Sequence, residues 1–282
     1  MNSLSVILGK VLRKFGNDKK SKPQKNNEKN IKLDDKMLDI IKEYIEKTTK
    51  DCYAMEVINE EPTPLDTHMG GIPYMPKDIK WPLDKNGDEI PFLIQINFEK
   101  IELENFPNKG LLQVFYDWET REQEVRFYEE LNDDYQGESC LPEWHFKEGY
   151  TCGTPLKLKL KKFKEVKHNY YNCDIFKEIF TKHYGDYDYK KYENEIDLIG
   201  KELEKNITRG NIGGWASSTQ GYFDNMDGLL TSQGNEIFFF IDCMLDYNSI
   251  SFGDGGYFWA EINPKDLKQK KYENIIIKND CY

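Results

Sequence analysis

Three observations predict an α+β fold dominated by antiparallel strands. The 282-residue chain is rich in Tyr (18) and Phe (16), which favour strands as well as core packing. Short apolar or alternating runs bounded by Gly, Pro, Asn and Asp recur in two stretches, about 53–135 and 205–282. Helical periodicity is confined to segments that flank or separate them.

The elements follow in chain order. Leu4, Ile7, Leu8, Val11, Leu12 and Phe15 recur at helical spacing with Lys10, Arg13 and Lys14 between them. A polar stretch, GNDKKSKPQKNNEKN, then reads as a linker. Residues 33–50 predict a helix that Asp34 or Asp35 caps, with Met37, Leu38, Ile41, Tyr44 and Ile45 on one face. DCYAMEVI reads as extended and EEPTPLDTHMGGIPYMP as loop. PFLIQINF reads as a buried strand, and GLLQVFYDW and EQEVRFYEE as a hairpin. In PLKLKLKKF, Leu156, Leu158 and Leu160 alternate with lysines, the pattern of an edge or surface strand guarded by charge. Residues 174–207 are helical in pattern, broken at YGDYD, and strands return in EIFFFIDCM, GGYFWAEI and NIIIK. The predicted organisation is a basic arm and linker (1–32) followed by one domain (33–282) of two related halves.

Charge excludes some function classes. Residues 1–32 carry nine Lys or Arg against two Asp or Glu, a local charge of +7, whereas the remainder carries -18. The body repels phosphate backbones, so nucleic acid is not an expected partner. The arm is the one segment with a reason to contact a membrane, through residues 1–15, but a docked helix explains the same pattern. The six cysteines contain no C-x-x-C pair and read as reduced thiols. With no apolar run long enough to span a bilayer and no export signal, a cytoplasmic protein is expected.

The two β-rich stretches echo each other. MGGIPYMP at 69 has a counterpart in IGGWASST at 212, FLIQIN at 92 in IFFFID at 237, and KGLLQVFYD at 109 in GGYFWAEIN at 255. The offsets of 143, 145 and 146 keep order and spacing, which predicts a duplicated sheet unit. Each Gly-Gly pair permits positive φ at a sharp entry into a sheet. Asn97 and Asp242 each end a strand, where a short polar side chain can accept from a free backbone amide.

Taken together, GGIPYMPKDIKWP, PFLIQINF, FPNKGLLQVFYD, IGGWASSTQ and SFGDGGYFWAEI resemble the YwqG-like family of bacterial domains of unknown function over roughly 53–282. The resemblance implies a β-rich duplicated fold and no established activity. Three positions depart from the family pattern. Phe240 stands where Gln is usual, Arg209 and Asn211 flank Gly210 where a His-Arg pair is common, and Ala216 and Ser217 stand where Pro is expected. The second half is left with fewer polar groups for binding.

Catalytic signals are sparse. The Gly clusters lead into prolines or a strand, not a helix, so neither is a phosphate cradle. Cys140, His145, Cys152, His168 and Cys173 have the right chemistry for zinc but irregular spacing, so no metal or cofactor is expected. Cys140 with His145 is the nearest nucleophile–base pair, without a supporting motif, and no catalytic residue is assigned. Two function classes remain. One is a non-enzymatic interaction module for another protein, suited by its acidic body to neutralising a basic partner. The other is an enzyme or small-ligand binder with its site between the repeats, near the Gly-Gly turns. The candidate binding residues are His68, Gly70, Gly71, Trp81, Gln95, Asn97, Gly213, Gly214, Gln220, Asp242 and Asp254.

Overall fold

A computed structural model describes residues 32–117, 119–142, 155–168, 170–218, 220, 222–223, 230–246 and 255–281. Of the sequence-predicted features, the basic arm up to residue 31, His145, Cys152 and Asp254 lie outside the described residues. The chain divides into two compact units. One is the described part of Met1–Thr49 with Glu165–Ile207, and the other is Lys50–Lys164 with Thr208–Tyr282.

The first unit is helical. Helix α1 (Asp35–Thr48) starts where Asp34 Oδ1 accepts from the Met37 amide at 2.8 Å, so Asp34, not Asp35, is the cap. Its apolar face, Met37, Ile40, Ile41, Tyr44 and Ile45, is buried with Phe176, Ile179 and Phe180 of α2 (Asp174–Tyr184) and Ile196, Ile199 and Leu203 of α3 (Glu193–Leu203). The predicted break at YGDYD is the end of α2, where Gly185 takes φ 90°.

The second unit is a ten-stranded sheet. Its strands are β1 (Lys50–Val57), β2 (His68–Met69), β3 (Phe92–Asn97), β4 (Leu111–Tyr116), β5 (Gln123–Tyr128) and β6 (Leu156–Glu165), then β7 (Gly210–Ile212), β8 (Glu236–Asp242), β9 (Gly256–Ile262) and β10 (Ile276–Cys281). The order across the sheet is β10-β9-β8-β7-β1-β6-β2-β3-β4-β5. Pairing is antiparallel through β10-β9-β8-β7-β1 and through β6-β2-β3-β4-β5. Side chains of β4 and β5 tie that end of the sheet to β10 and the residue before it, which leaves the sheet a nearly closed barrel. Gln123 Nε2 donates to the Ile275 carbonyl at 2.7 Å, its Oε1 accepts from the Ile277 amide at 2.9 Å, and Tyr116 hydroxyl donates to Asn279 at 2.8 Å. A short helix, α4 (Pro264–Lys268), follows β9 and is the fourth helix among the described residues; the sequence reading did not foresee it.

The barrel-facing side chains form one core, including Met69, Ile94, Ile96, Leu112, Val114, Leu158, Ile212, Phe239, Ile241, Phe258 and Ala260. The opposite sheet face is covered in two places. Met75, Ile90, Phe92 and Phe115 pack over the first meander, and Trp215, Phe223, Ile237, Phe240 and Trp259 over the second. Burial on both faces explains why β3, β4 and β8 read as nearly unbroken apolar runs.

The alternation in β6 is correct, but its edge reading is not. The strand lies between β1 and β2, with Leu156 and Leu158 in the core. Its lysines meet acidic side chains on neighbouring segments: Lys157 with Glu60 and Asp66, Lys161 with Glu56, Lys162 with Glu102, and Lys164 with Asp51. Charge here pairs across an interior strand rather than guarding an open edge.

Two local geometries recur. After β2, Gly70 and Gly71 take φ of 57° and 70°; after β7, Gly213 takes 76°. His68 pairs with Gln95 and Met69 with Ile94, as Asn211 pairs with Phe240 and Ile212 with Phe239. The register shifts between Phe92 and Ile94 on β3, and between Ile237 and Phe239 on β8.

Candidate functional site

The first Gly-Gly turn lies over a buried polar row. Antiparallel pairing puts His68, Gln95 and Gln113 side by side on one sheet face, all fully buried. Gln95 Oε1 accepts from the Tyr74 amide and from Gln113 Nε2, each at 2.9 Å; its Nε2 donates to the carbonyls of Pro64 (2.8 Å) and Asp66 (2.9 Å). Gln113 Nε2 also donates to the Tyr74 carbonyl. This carboxamide pair holds the chain that enters and leaves the turn.

His68 Nδ1 donates to the Gly70 carbonyl at 2.7 Å, which places the proton on Nδ1. Among the described residues, its Nε2, like Gln113 Oε1, has no hydrogen-bond partner. Burial pushes the imidazole pKa down to about 4, because the Gly70 carbonyl and the Asp66 charge only partly offset the loss of hydration. A neutral, fully buried imidazole holds its turn.

Other predicted residues close turns. Asn97 Oδ1 accepts from the Glu99 amide at 2.9 Å, and its Nδ2 donates to the Leu65 carbonyl at 2.8 Å. Asp242 Oδ1 likewise accepts from the Met244 amide at 2.8 Å, and Oδ2 accepts from Arg209 at 2.7 Å. Trp81 donates to the Ile90 carbonyl at 2.8 Å and packs edge-on against Phe115. Gln220 donates from its amide to Asp280 (3.1 Å) and from Nε2 to the Cys281 carbonyl (3.3 Å). The Gly214 amide donates to Asn211 Oδ1 at 3.2 Å. Cys140 packs beside the Met75–Phe115 cluster, and burial pushes its thiol up to about 11, so it is no ready nucleophile. No group of three metal-ligating side chains occurs among the described residues.

The second Gly-Gly turn reaches open space. Gly213 lines a cleft of about 780 Å³ whose wall combines β1, the 102–106 loop, β6 and the start of β8. The apolar part includes Tyr53, Leu103, Phe106, Phe163 and Ile237. Gly213 is needed there: a β-carbon would lie 2.8 Å from Leu103 Cδ1 and 3.3 Å from Phe106 Cζ, on a backbone at φ 76°. The polar part is acidic. Asp51, Glu102, Glu104 and Glu236 face Lys50 and Lys162, four carboxylates against two ammonium groups. Lys162 is paired with Glu102, and Asp51 with Lys164. Desolvation raises the pKa of half-buried Glu236 and Glu104 adds to the rise, while Lys50 opposes it.

The structure therefore brings His68, Gly70, Gln95 and Asn97 to one region and, among the described residues of the predicted set, places Gly213 in the cleft. Of the cleft residues, Phe106 opens the FPNKGLLQVFYD motif, whereas Lys50, Tyr53, Glu104 and Glu236 were singled out by no motif.

A family model described as Domain of unknown function (DUF1963) matches residues 67–281, and the chain belongs to that family. A search of curated proteins finds no match.

Proposed function

We propose that this chain is a non-catalytic interaction module that takes a basic segment of a protein partner into the acidic cleft beside Gly213. The observation that carries the reading is an acidic wall over an apolar floor: Asp51 and Glu102 are paired with Lys164 and Lys162, which leaves Glu104 and Glu236 against Lys50, a surplus of one carboxylate. Such a wall attracts a cationic chain and gives its aliphatic stems a surface to lie on. The acidic body adds long-range attraction to the same partner. No histidine is among the described lining residues, and their one thiol, Cys52, is buried. A cytoplasmic setting is part of this reading, supported by the reduced thiols of Cys140, Cys173 and Cys243.

Two finer readings accompany it. The matched registers, the two strand shifts and the paired Asn97 and Asp242 caps support an origin by duplication of one meander. The motifs quoted above support the YwqG-like group as the branch within the family.

The test is titration of the protein with a ten-residue lysine- and arginine-rich peptide by calorimetry. Saturable binding that weakens with added salt, and further with Glu104→Lys plus Glu236→Lys, is expected. No binding, or binding indifferent to both substitutions, overturns the reading. The second reading, a small-ligand site, is favoured by the cleft's volume, which lies within the range of small-molecule pockets. A thermal-shift screen against cationic metabolites separates the two.

A further inference from the structure

The end of the GGIPYMPKDIKWP motif walls a second pocket, of about 590 Å³. Its other side is β5. Val125 and Phe127 turn toward the barrel core, so Glu124, Arg126 and Tyr128 take the opposite face, with Arg126 opposite Gln113 of the buried polar row. The motif's wall is braced. Gln136 Nε2 donates to the carbonyls of Pro76 (2.7 Å) and Ile79 (2.6 Å), while Trp81 donates to Ile90 and packs on Phe115. Ile79 and Leu83 line the same wall and are 37 % and 54 % exposed. An indole flanked by large apolar side chains left in water suits the body of an apolar ligand.

Arg126 supplies a polar end. Its side chain is 15 % exposed, and its guanidinium lies over the Phe115 ring, 5.1 Å from the centroid. Nε donates to Glu124 at 2.6 Å, and Nη1 donates to the Met75 sulfur at 3.4 Å, a weak acceptor. Among the described residues no carboxylate or carbonyl accepts from the Nη edge. The Tyr128 hydroxyl is buried and has no hydrogen-bond partner among them either. Burial pushes the Tyr128 phenol up, and the Arg126 charge opposes the rise, as a guanidinium within reach of the hydroxyl does.

We propose that this pocket binds a small carboxylic acid with an apolar body, its carboxylate on the Nη edge of Arg126 and its body against Trp81, Ile79 and Leu83. A largely desolvated guanidinium that gives one of its five N–H groups to a carboxylate is under-satisfied, and a second carboxylate is the acceptor its planar fork fits best. Glu124 takes Nε alone and leaves that edge open. Asp78 and Glu124 offset Lys80 and Arg126 around the wall, so a monoanion meets no surplus of negative charge there, in contrast to the acidic cleft.

The test is calorimetric titration at neutral pH with octanoate and with octan-1-ol, which has the same apolar body and no carboxylate. The wild type is expected to bind octanoate saturably and about tenfold more tightly than the alcohol, the size of one charge-assisted hydrogen bond. Arg126→Met keeps an apolar stem and should bring the two ligands to equal affinity without weakening the alcohol. Arg126→Lys keeps the charge, loses the fork and should fall between. Leu83→Asp, on the exposed rim, should weaken both ligands. The proposal is overturned if the wild type binds neither ligand or binds the two alike, and equally if Arg126→Met retains the preference. Should Arg126→Met bind neither because the pocket has lost its shape, Arg126→Lys decides: a reduced preference supports the assignment and an unchanged one overturns it. The acidic cleft is tested separately by the basic peptide, so either reading can fall without the other.

Discussion

Lowering the pH from 7 to 5 should destabilise the sheet unit through His68. The imidazole is fully buried, donates from Nδ1 to Gly70 and leaves Nε2 unpartnered, so a second proton has no acceptor. Its pKa falls from 6.5 to about 4, and desolvation is the main cause. Between these values the unfolded chain binds the proton and the folded chain does not. The stabilisation is therefore complete above pH 6.5 and is lost as the pH falls toward 4. Integrating the linkage over pH 7 to 5 gives a loss of about 2 kcal/mol. The assay is urea unfolding by tryptophan fluorescence at both pH values. All five tryptophans belong to the sequence of the sheet unit, so the signal reports that unit alone. Carboxylates titrate over the same range, so the comparison is with His68→Asn. On β7, Asn211 holds the similar register position opposite Phe240, and its carboxamide serves Gly214 and Trp215. The wild type should lose about 2 kcal/mol more than the variant on acidification. Equal losses would refute the assignment of a buried neutral imidazole.

Three further outcomes follow from local geometry. Gly213→Ala must place a β-carbon against Leu103 at positive φ, and it should lower urea stability by about 1–3 kcal/mol while narrowing the cleft to peptide probes. Glu261→Ala should cost the sheet unit about 3–5 kcal/mol in urea unfolding, because this fully buried carboxylate accepts from Trp259 Nε1 at 2.8 Å and from Asn235 at 3.2 Å and pairs with Lys278 at 3.1 Å; Glu261→Gln should cost less. Asp34→Ala should lower the helical unit's stability by about 1 kcal/mol by far-ultraviolet circular dichroism and leave the tryptophan transition unmoved.

The role of Gln95 changes how ligand binding can be tested. All four of the Gln95 hydrogen bonds described above are internal, so Gln95→Ala would leave Tyr74 N and two carbonyls unpaired and cost about 1–3 kcal/mol of fold stability. A lost ligand response in that variant would report the turn as much as a site. The informative substitutions are the exposed cleft carboxylate Glu104 and Lys50.

Much of the fold was legible because its signals are local. The α1 cap, the β4–β5 hairpin, the glycine turns and the short polar residues that end β3 and β8 depend on chemistry within a few residues. The echo between Gly70-Gly71 and Gly213-Gly214 named one wall of the cleft for the same reason, since a backbone conformation that needs glycine is written in the sequence. Tertiary structure decided the rest. Whether the β6 lysines stood at an edge depended on β1 and β2 arriving beside them, and no local pattern encodes those neighbours. Gln95 and Gln113 became buried struts only when Tyr74 folded over them. Residues from positions 50 to 264 converge on one cleft because strand order, not sequence order, sets which side chains share a wall. A charge pattern that is unremarkable along the chain becomes an acidic surface once the sheet brings Glu102, Glu104 and Glu236 together around Gly213.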